Sequence, residues 1–134
     1  MGYQVGETTE VTINITAEGV NTFADLSGDY NPIHINEKNE FFGRPIAHGF
    51  LVGGVLSNAI GMKLPGPGTL YMEQDMKFLR PVFLGDRVTG IIRIAKVLNE
   101  KKNILMLETT VINQNGEKVI DGFAVVKAPG RKEE

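Results

Sequence analysis

Between residues 47 and 63 lies a stretch that limits the possible folds more than any other. Wound as a helix from about Ala47 to Lys63, it would point Phe50, Leu51, Val52, Val55, Leu56, Ala59, Ile60 and Met62 in almost every direction. A helix that is apolar all round is a buried one. Gly49, Gly53, Ser57 and Gly61 recur every fourth residue along it. Each glycine costs a helix ~1 kcal/mol relative to Ala. The fold must therefore need small residues there, either to pack the helix on a sheet or to let another backbone or a ligand come close. Leu64-Pro65-Gly66-Pro67-Gly68 ends the helix, since Pro and Gly break regular structure.

What surrounds this helix reads as sheet. Val11, Ile13 and Ile15 alternate with Thr12, Asn14 and Thr16, the period of a half-buried strand. Thr16 can cap a short helix carrying Val20, Phe23 and Ala24 on one side. Beyond the long helix, Leu70, Met72, Met76 and Phe78 alternate with polar residues. Strands follow over about Val88 to Leu98, Leu105 to Val111 and Lys118 to Lys127, the last two joined at Asn115-Gly116, a strong hairpin signal. Consecutive hairpins make an antiparallel sheet, and a sheet wrapped around one buried helix is an α+β arrangement. Residues Ala128 to Glu134 read as a frayed polar tail.

The bulk properties narrow the function. At 134 residues the chain fits a single domain, 1–134. A net charge of −2 argues against general nucleic-acid binding. There are no cysteines, which excludes disulfides and thiolate catalysis and fits a reducing cytoplasm. No apolar run is long enough to cross a bilayer, and Met1 to Gly6 shows no secretory pattern.

Chemistry concentrates in Ser27-Gly28-Asp29-Tyr30-Asn31-Pro32-Ile33-His34. Pro32 lacks an N–H and pushes Asn31 into an extended conformation, so the stretch reads as a non-helical loop. It carries a carboxylate and an imidazole five residues apart, able to share one water or one substrate proton. The same residues also make an ordinary Asp-x-Asn-Pro turn with a structural histidine. After it, Asn36 can cap another short helix, with Phe41 and Phe42 toward the core and Gly43 as its stop.

Continued by Arg44-Pro45-Ile46-Ala47-His48-Gly49, and later by Phe78-Leu79-Arg80-Pro81-Val82 and Gly85-Asp86, this stretch resembles the signature of the MaoC-like family, the (R)-specific enoyl-CoA hydratases of the hot-dog fold. The likeness runs from about Val5 to Pro129. It implies an antiparallel sheet wrapped around the long helix and a homodimer or higher homo-oligomer with active sites near the subunit interface. It also implies reversible hydration of trans-2-enoyl-CoA to (R)-3-hydroxyacyl-CoA, with no cofactor. Asp29 and His34 would hold and deprotonate a water, Asn31 would shape their loop, and the Gly49 N–H would receive the thioester oxygen. Ser57 matches a family position near the catalytic pair, and a small packing residue is an equal reading of it.

The residues themselves support parts of this assignment. Gly49 falls at the start of the long helix, where N–H groups are unpaired and the dipole favours negative charge. His48 is read as holding the loop backbone. The spacing of Asp29, His34 and His48 matches no standard metal-ligand pattern. Arg44, Lys63, Lys77 and Arg80 are candidates for contacts to the phosphates of coenzyme A, or an acyl carrier protein could present the substrate. The medium-sized Ile60 and Val125 favour a short acyl group. Two alternatives remain: a hot-dog thioesterase, which would need a carboxylate on the long helix where Gly49 to Ile60 has none, and a non-catalytic acyl-thioester binding module.

Overall fold

The structure, a computed structural model, describes residues 2–131. Five strands form one antiparallel sheet: β1 (Thr8–Asn14), β2 (Leu70–Phe78), β3 (Arg87–Asn99), β4 (Ile104–Ile112) and β5 (Lys118–Lys127). Their spatial order is β1-β3-β4-β5-β2. Three helices precede β2: α1 (Ala17–Ser27), α2 (Pro32–Ile35) and α3 (Gly49–Met62). Helix α3 lies against β3, β1 and β4. Val52, Val55, Leu56, Ala59 and Ile60 on its inner face meet Val88, Ile92, Ile94, Leu105, Leu107, Val111, Ala124 and Val126 from the sheet in one core. This is the α+β, sheet-around-helix architecture of the hot-dog fold.

The strands follow their alternation where the sheet is covered. Leu105, Leu107, Thr109 and Val111 of β4 are fully buried, so side chains two apart all face the helix. On the edge strand β2 the pattern weakens. A register shift between Tyr71 and Glu73 interrupts the ladder, and Leu70, Met72 and Phe78 are about half exposed or more. Gly122 of β5 faces Met76 of β2. A Cβ added there would lie 1.9 Å from the Asp75 carbonyl oxygen. That contact is with backbone and cannot be relieved by a rotamer change, so the two strands would have to part. Gly122→Ala is expected to destabilise the protein well beyond the ~1 kcal/mol of an average substitution, read as a lowered denaturation midpoint.

Several local expectations change. Helix α3 starts at Gly49 rather than Ala47, with His48 as its N-cap. It is not buried all round: Phe50 and Met62 are each 68% exposed, and Gly54, Ser57 and Asn58 are exposed with them. A single sheet can cover only one side of a helix. Within the glycine stripe, Gly49 and Gly53 give way to the Phe78 ring and the Met76 sulfur of β2, while nothing approaches Gly61. The small residues are thus needed for packing at two of the four positions.

Nor is the Asp29 stretch wholly loop. Pro32 opens the one-turn helix α2, where its missing N–H would have had no partner. Asn36 ends α2 instead of starting a helix. The next residues form turns around Asn39, whose side chain donates to the Arg44 carbonyl and accepts from the Phe41 and Phe42 N–H groups. A side chain that satisfies the backbone locally competes with helix, and Phe41 and Phe42 are left exposed. Finally, the segment after β5 is not frayed through residue 131. Ala128 is buried, its N–H donates to Asn103, Tyr3 donates to the Pro129 carbonyl, and Arg131 pairs with Glu7 at 2.8 Å. Residues 132–134 lie outside the described chain.

Candidate active site

Helix α1 delivers the chain to the site. Thr16 caps its start by accepting from the Gly19 N–H, and Gly28 ends it in the left-handed region at φ 80°. The turn there carries the chain out of α1 to Asp29. The Asp29 Oδ1 accepts from the Asn31 N–H at 3.1 Å, and the Asn31 Oδ1 accepts from the Ile33 N–H at 3.2 Å. These two turns in series lock the loop and place His34 one helical position short of the end of α2. Asn31 therefore shapes the loop and caps α2, and its side chain is committed to that task.

His34 is 8% exposed, whereas the Asp29 side chain is half exposed. The His34 Nδ1 lies 2.8 Å from the Ile46 carbonyl oxygen. A carbonyl can only accept, so Nδ1 carries the hydrogen, and in the neutral ring Nε2 presents its lone pair. That Nε2 faces the Asp29 Oδ2 at 3.9 Å. Two acceptors face each other across a gap too long for a direct hydrogen bond and suited to a bridging donor.

Both residues line a cavity of about 590 Å³. Phe23, Ile33, Val52, Phe78, Val82 and Ile120 make most of its wall apolar, and Gly49 and His48 line it where α3 begins. No side chain caps α3, so the N–H groups of its first turn are unpaired within the helix. Two acceptors for a water, unpaired N–H donors and an apolar chamber thus converge on one cavity.

The cavity gathers Asp29, His34 and Gly49 and leaves out other predicted site residues. Ser57 lies on the exposed face of α3. Ile60 is buried in the core, and Val125, next to the core-facing Ala124 and Val126 on β5, is half-buried. None of the three belongs to the lining. Arg44 also lies outside it, with its guanidinium 3.9 Å from the centre of the Phe83 ring. Of the four basic candidates, Arg80 alone lines the cavity. Lys63 donates to the Glu10 carbonyl and Lys77 sits 3.5 Å from Asp75. The aromatic residues Phe23, Phe42 and Phe50 line the chamber, although the sequence marked them only as apolar packing residues.

Asp29, His34 and His48 bring ligand-type atoms within 4.8 Å of one another. Their arrangement does not suit a shared metal ion. An imidazole lone pair lies in the ring plane, and the His34 and His48 rings are stacked, 3.9 Å between centres and 27° between planes. Nearly parallel planes cannot direct both lone pairs at one nearby point. One nitrogen of each ring is also committed to a backbone carbonyl.

The MaoC like domain family matches residues 4–116. The chain belongs to the MaoC-like family. It is 38% identical over 129 residues to an (R)-specific enoyl-CoA hydratase of Aeromonas caviae, covering 94% of this chain and 96% of the relative. It is 36% identical over 133 residues to a 3-hydroxybutyryl-CoA dehydratase of Methylorubrum extorquens, covering 97% and 83%. Among solved structures, an R-hydratase of Pseudomonas aeruginosa in its unliganded form superposes with a TM-score of 0.89 at 40% identity, covering 96% of this chain and 84% of that one. This MaoC-like protein therefore shares both sequence and hot-dog fold with enzymes that add or remove water at acyl thioesters.

Proposed function

We propose that this MaoC-like protein is an (R)-specific enoyl-CoA hydratase, adding water reversibly to a short trans-2-enoyl-CoA to give the (R)-3-hydroxyacyl-CoA. The observation that carries the reading is the 3.9 Å gap between the Asp29 Oδ2 and the His34 Nε2, open to the cavity that also contains the start of α3. Both atoms accept hydrogen bonds, so one water donating to both fits between them. Its remaining lone pairs are then free to attack Cβ. As the C–O bond forms, one proton passes from the water to the pair. The electron pair of the double bond moves toward the thioester carbonyl, whose oxygen gains charge beside the Gly49 N–H. The pair then returns the proton to Cα. Water has been added, no proton is gained or lost, and the pair is restored. Nothing in this sequence requires a cofactor.

The short acyl chain is supported by the likeness to a 3-hydroxybutyryl-CoA dehydratase and by the bulky Phe23, Phe42 and Phe50 along the chamber. Arg80, which lines the cavity and lies 3.5 Å from Glu117, would meet the anionic handle of coenzyme A or of an acyl carrier protein. A thioesterase gains no support, because α3 carries no acidic residue. No helix among the described residues is long and apolar enough to cross a membrane, and we place the enzyme in the cytoplasm.

The test is incubation with crotonyl-CoA. Loss of the conjugated-thioester absorbance with formation of (R)-3-hydroxybutyryl-CoA supports the reading. Release of free thiol, or binding without turnover, overturns it.

We also infer a homodimer. Phe50 and Met62 of α3 and Leu70, Met72 and Phe78 of the edge strand β2 are all exposed. An open strand edge flanked by apolar side chains needs covering. Light scattering at micromolar concentration should give at least twice the 14.7 kDa chain mass; an active monomer would refute the assembly.

A further inference from the structure

His48 touches every part of this arrangement without offering the substrate a reactive atom. It is the N-cap of α3, immediately before Gly49. Its Nε2 lies 2.9 Å from the backbone carbonyl oxygen of Asp29, so Nε2 carries the hydrogen and donates it. Its ring stacks on His34 and is backed by Phe23 of α1, 4.8 Å between ring centres. The residue is 2% exposed. Its other nitrogen, Nδ1, is buried and has no partner. An unpaired buried acceptor works against stability, a cost that a phenyl ring in this space would not carry. What the imidazole supplies in return is the bond to the Asp29 carbonyl.

The two members of the pair are each held at one further point. The Asp29 carboxylate is tied through Oδ1 to Asn31, and the His34 ring is tied through Nδ1 to Ile46. The first tie, continued by the Asn31 turn, sets the backbone between the two residues, but neither tie joins the His34 ring to the Asp29 backbone. His48 does so: its Nε2–H holds the backbone of Asp29 while the face of the same ring sets the plane of His34.

We propose that His48 is a positioning residue that fixes the spacing between Asp29 and His34 at the width one water bridges. This rests on the hydratase reading for its consequence in turnover, but the geometric part stands apart from it. With Nε2 committed to the backbone and Nδ1 enclosed, His48 has no free group for substrate. Its effect falls on the placement of the water, and a misplacement near 1 Å can cost ~10² in rate.

Three variants separate the two contacts. His48→Gln keeps an amide donor for the Asp29 carbonyl and loses the stacked ring. His48→Phe keeps the stack and loses the donor. His48→Ala loses both. On crotonyl-CoA, kcat is expected to fall ~10²-fold in His48→Ala with KM little changed, and to recover partly in each of the other two. Imidazole NMR of His34 supplies a readout independent of turnover: its ring signals should shift in His48→Ala and His48→Gln and move least in His48→Phe. A folded His48→Ala variant with normal kcat, or one whose loss appears only in KM, overturns the proposal. So do His48→Gln and His48→Phe variants no better than His48→Ala, or both at the wild-type rate should His48→Ala not fold. If the wild-type protein hydrates no enoyl thioester, the functional reading fails by itself, and unchanged His34 signals in the variants would then overturn the positioning role separately.

Discussion

Asp29→Asn and His34→Gln are each expected to lower kcat for enoyl-CoA hydration by at least ~10²-fold, the low end of what positioned acid–base groups contribute. Asp29→Asn keeps an oxygen for the Asn31 N–H that the Asp29 Oδ1 now accepts from. The loop should therefore hold its shape while the charge facing the His34 Nε2 is lost. The amide also turns one acceptor of the gap into a donor, so a bridging water can no longer point both hydrogens outward. His34→Gln removes the nitrogen that faces Asp29 and weakens the bond to the Ile46 carbonyl. A buried carbonyl left unpaired costs ~1–3 kcal/mol, so this variant should also melt earlier. The two effects are separable: kcat is measured on protein shown to be folded by circular dichroism and below its melting transition. Near-normal turnover in either folded variant would show that the water is held elsewhere.

The second large effect is expected at Gly49. Loss of one oxyanion donor typically costs ~3–4 kcal/mol, or 10²–10³ in kcat. A Cβ on residue 49 would lie 2.6 Å from the Cε1 of Phe78, so a side chain there meets the ring that walls the cavity. The ring is half exposed and can swing aside, which lets the variant fold while the added methyl groups hold the thioester oxygen off the N–H. Gly49→Val should therefore lower kcat by the oxyanion amount, while the Kd of saturated butyryl-CoA rises much less, since charge on that oxygen grows only toward the transition state. Phe78→Ala serves as the control for a displaced ring. If it reproduces the Gly49→Val loss, the defect lies in the cavity wall and not in the donor; if a folded Gly49→Val variant turns over normally, the thioester oxygen binds elsewhere.

Much of this protein was legible in the order of its residues because the signals were local. The alternation of Leu105, Leu107 and Val111, the Pro-Gly break after Met62, and Asn115-Gly116 between β4 and β5 each follow from backbone and side-chain preferences within a few positions. Asp29, Asn31, His34 and Gly49 were marked by type, spacing and family likeness, and the fold brings Asp29, His34 and Gly49 to one cavity. What the tertiary structure decided involves partners distant in sequence. Phe41 and Phe42 looked like core residues, but Asn39 gathers the local N–H groups into turns and leaves them exposed. Apolar residues on every side of α3 suggested complete burial, yet one sheet covers one face. Ser57, Ile60, Val125 and Arg44 stand apart from the cavity in the protomer, because strand register and helix rotation, not sequence spacing, set where a side chain points. The same holds for His48. Its neighbours in sequence gave it no more than a structural role, and only folding stacks it on His34, fourteen positions earlier, while its Nε2 reaches the carbonyl of Asp29.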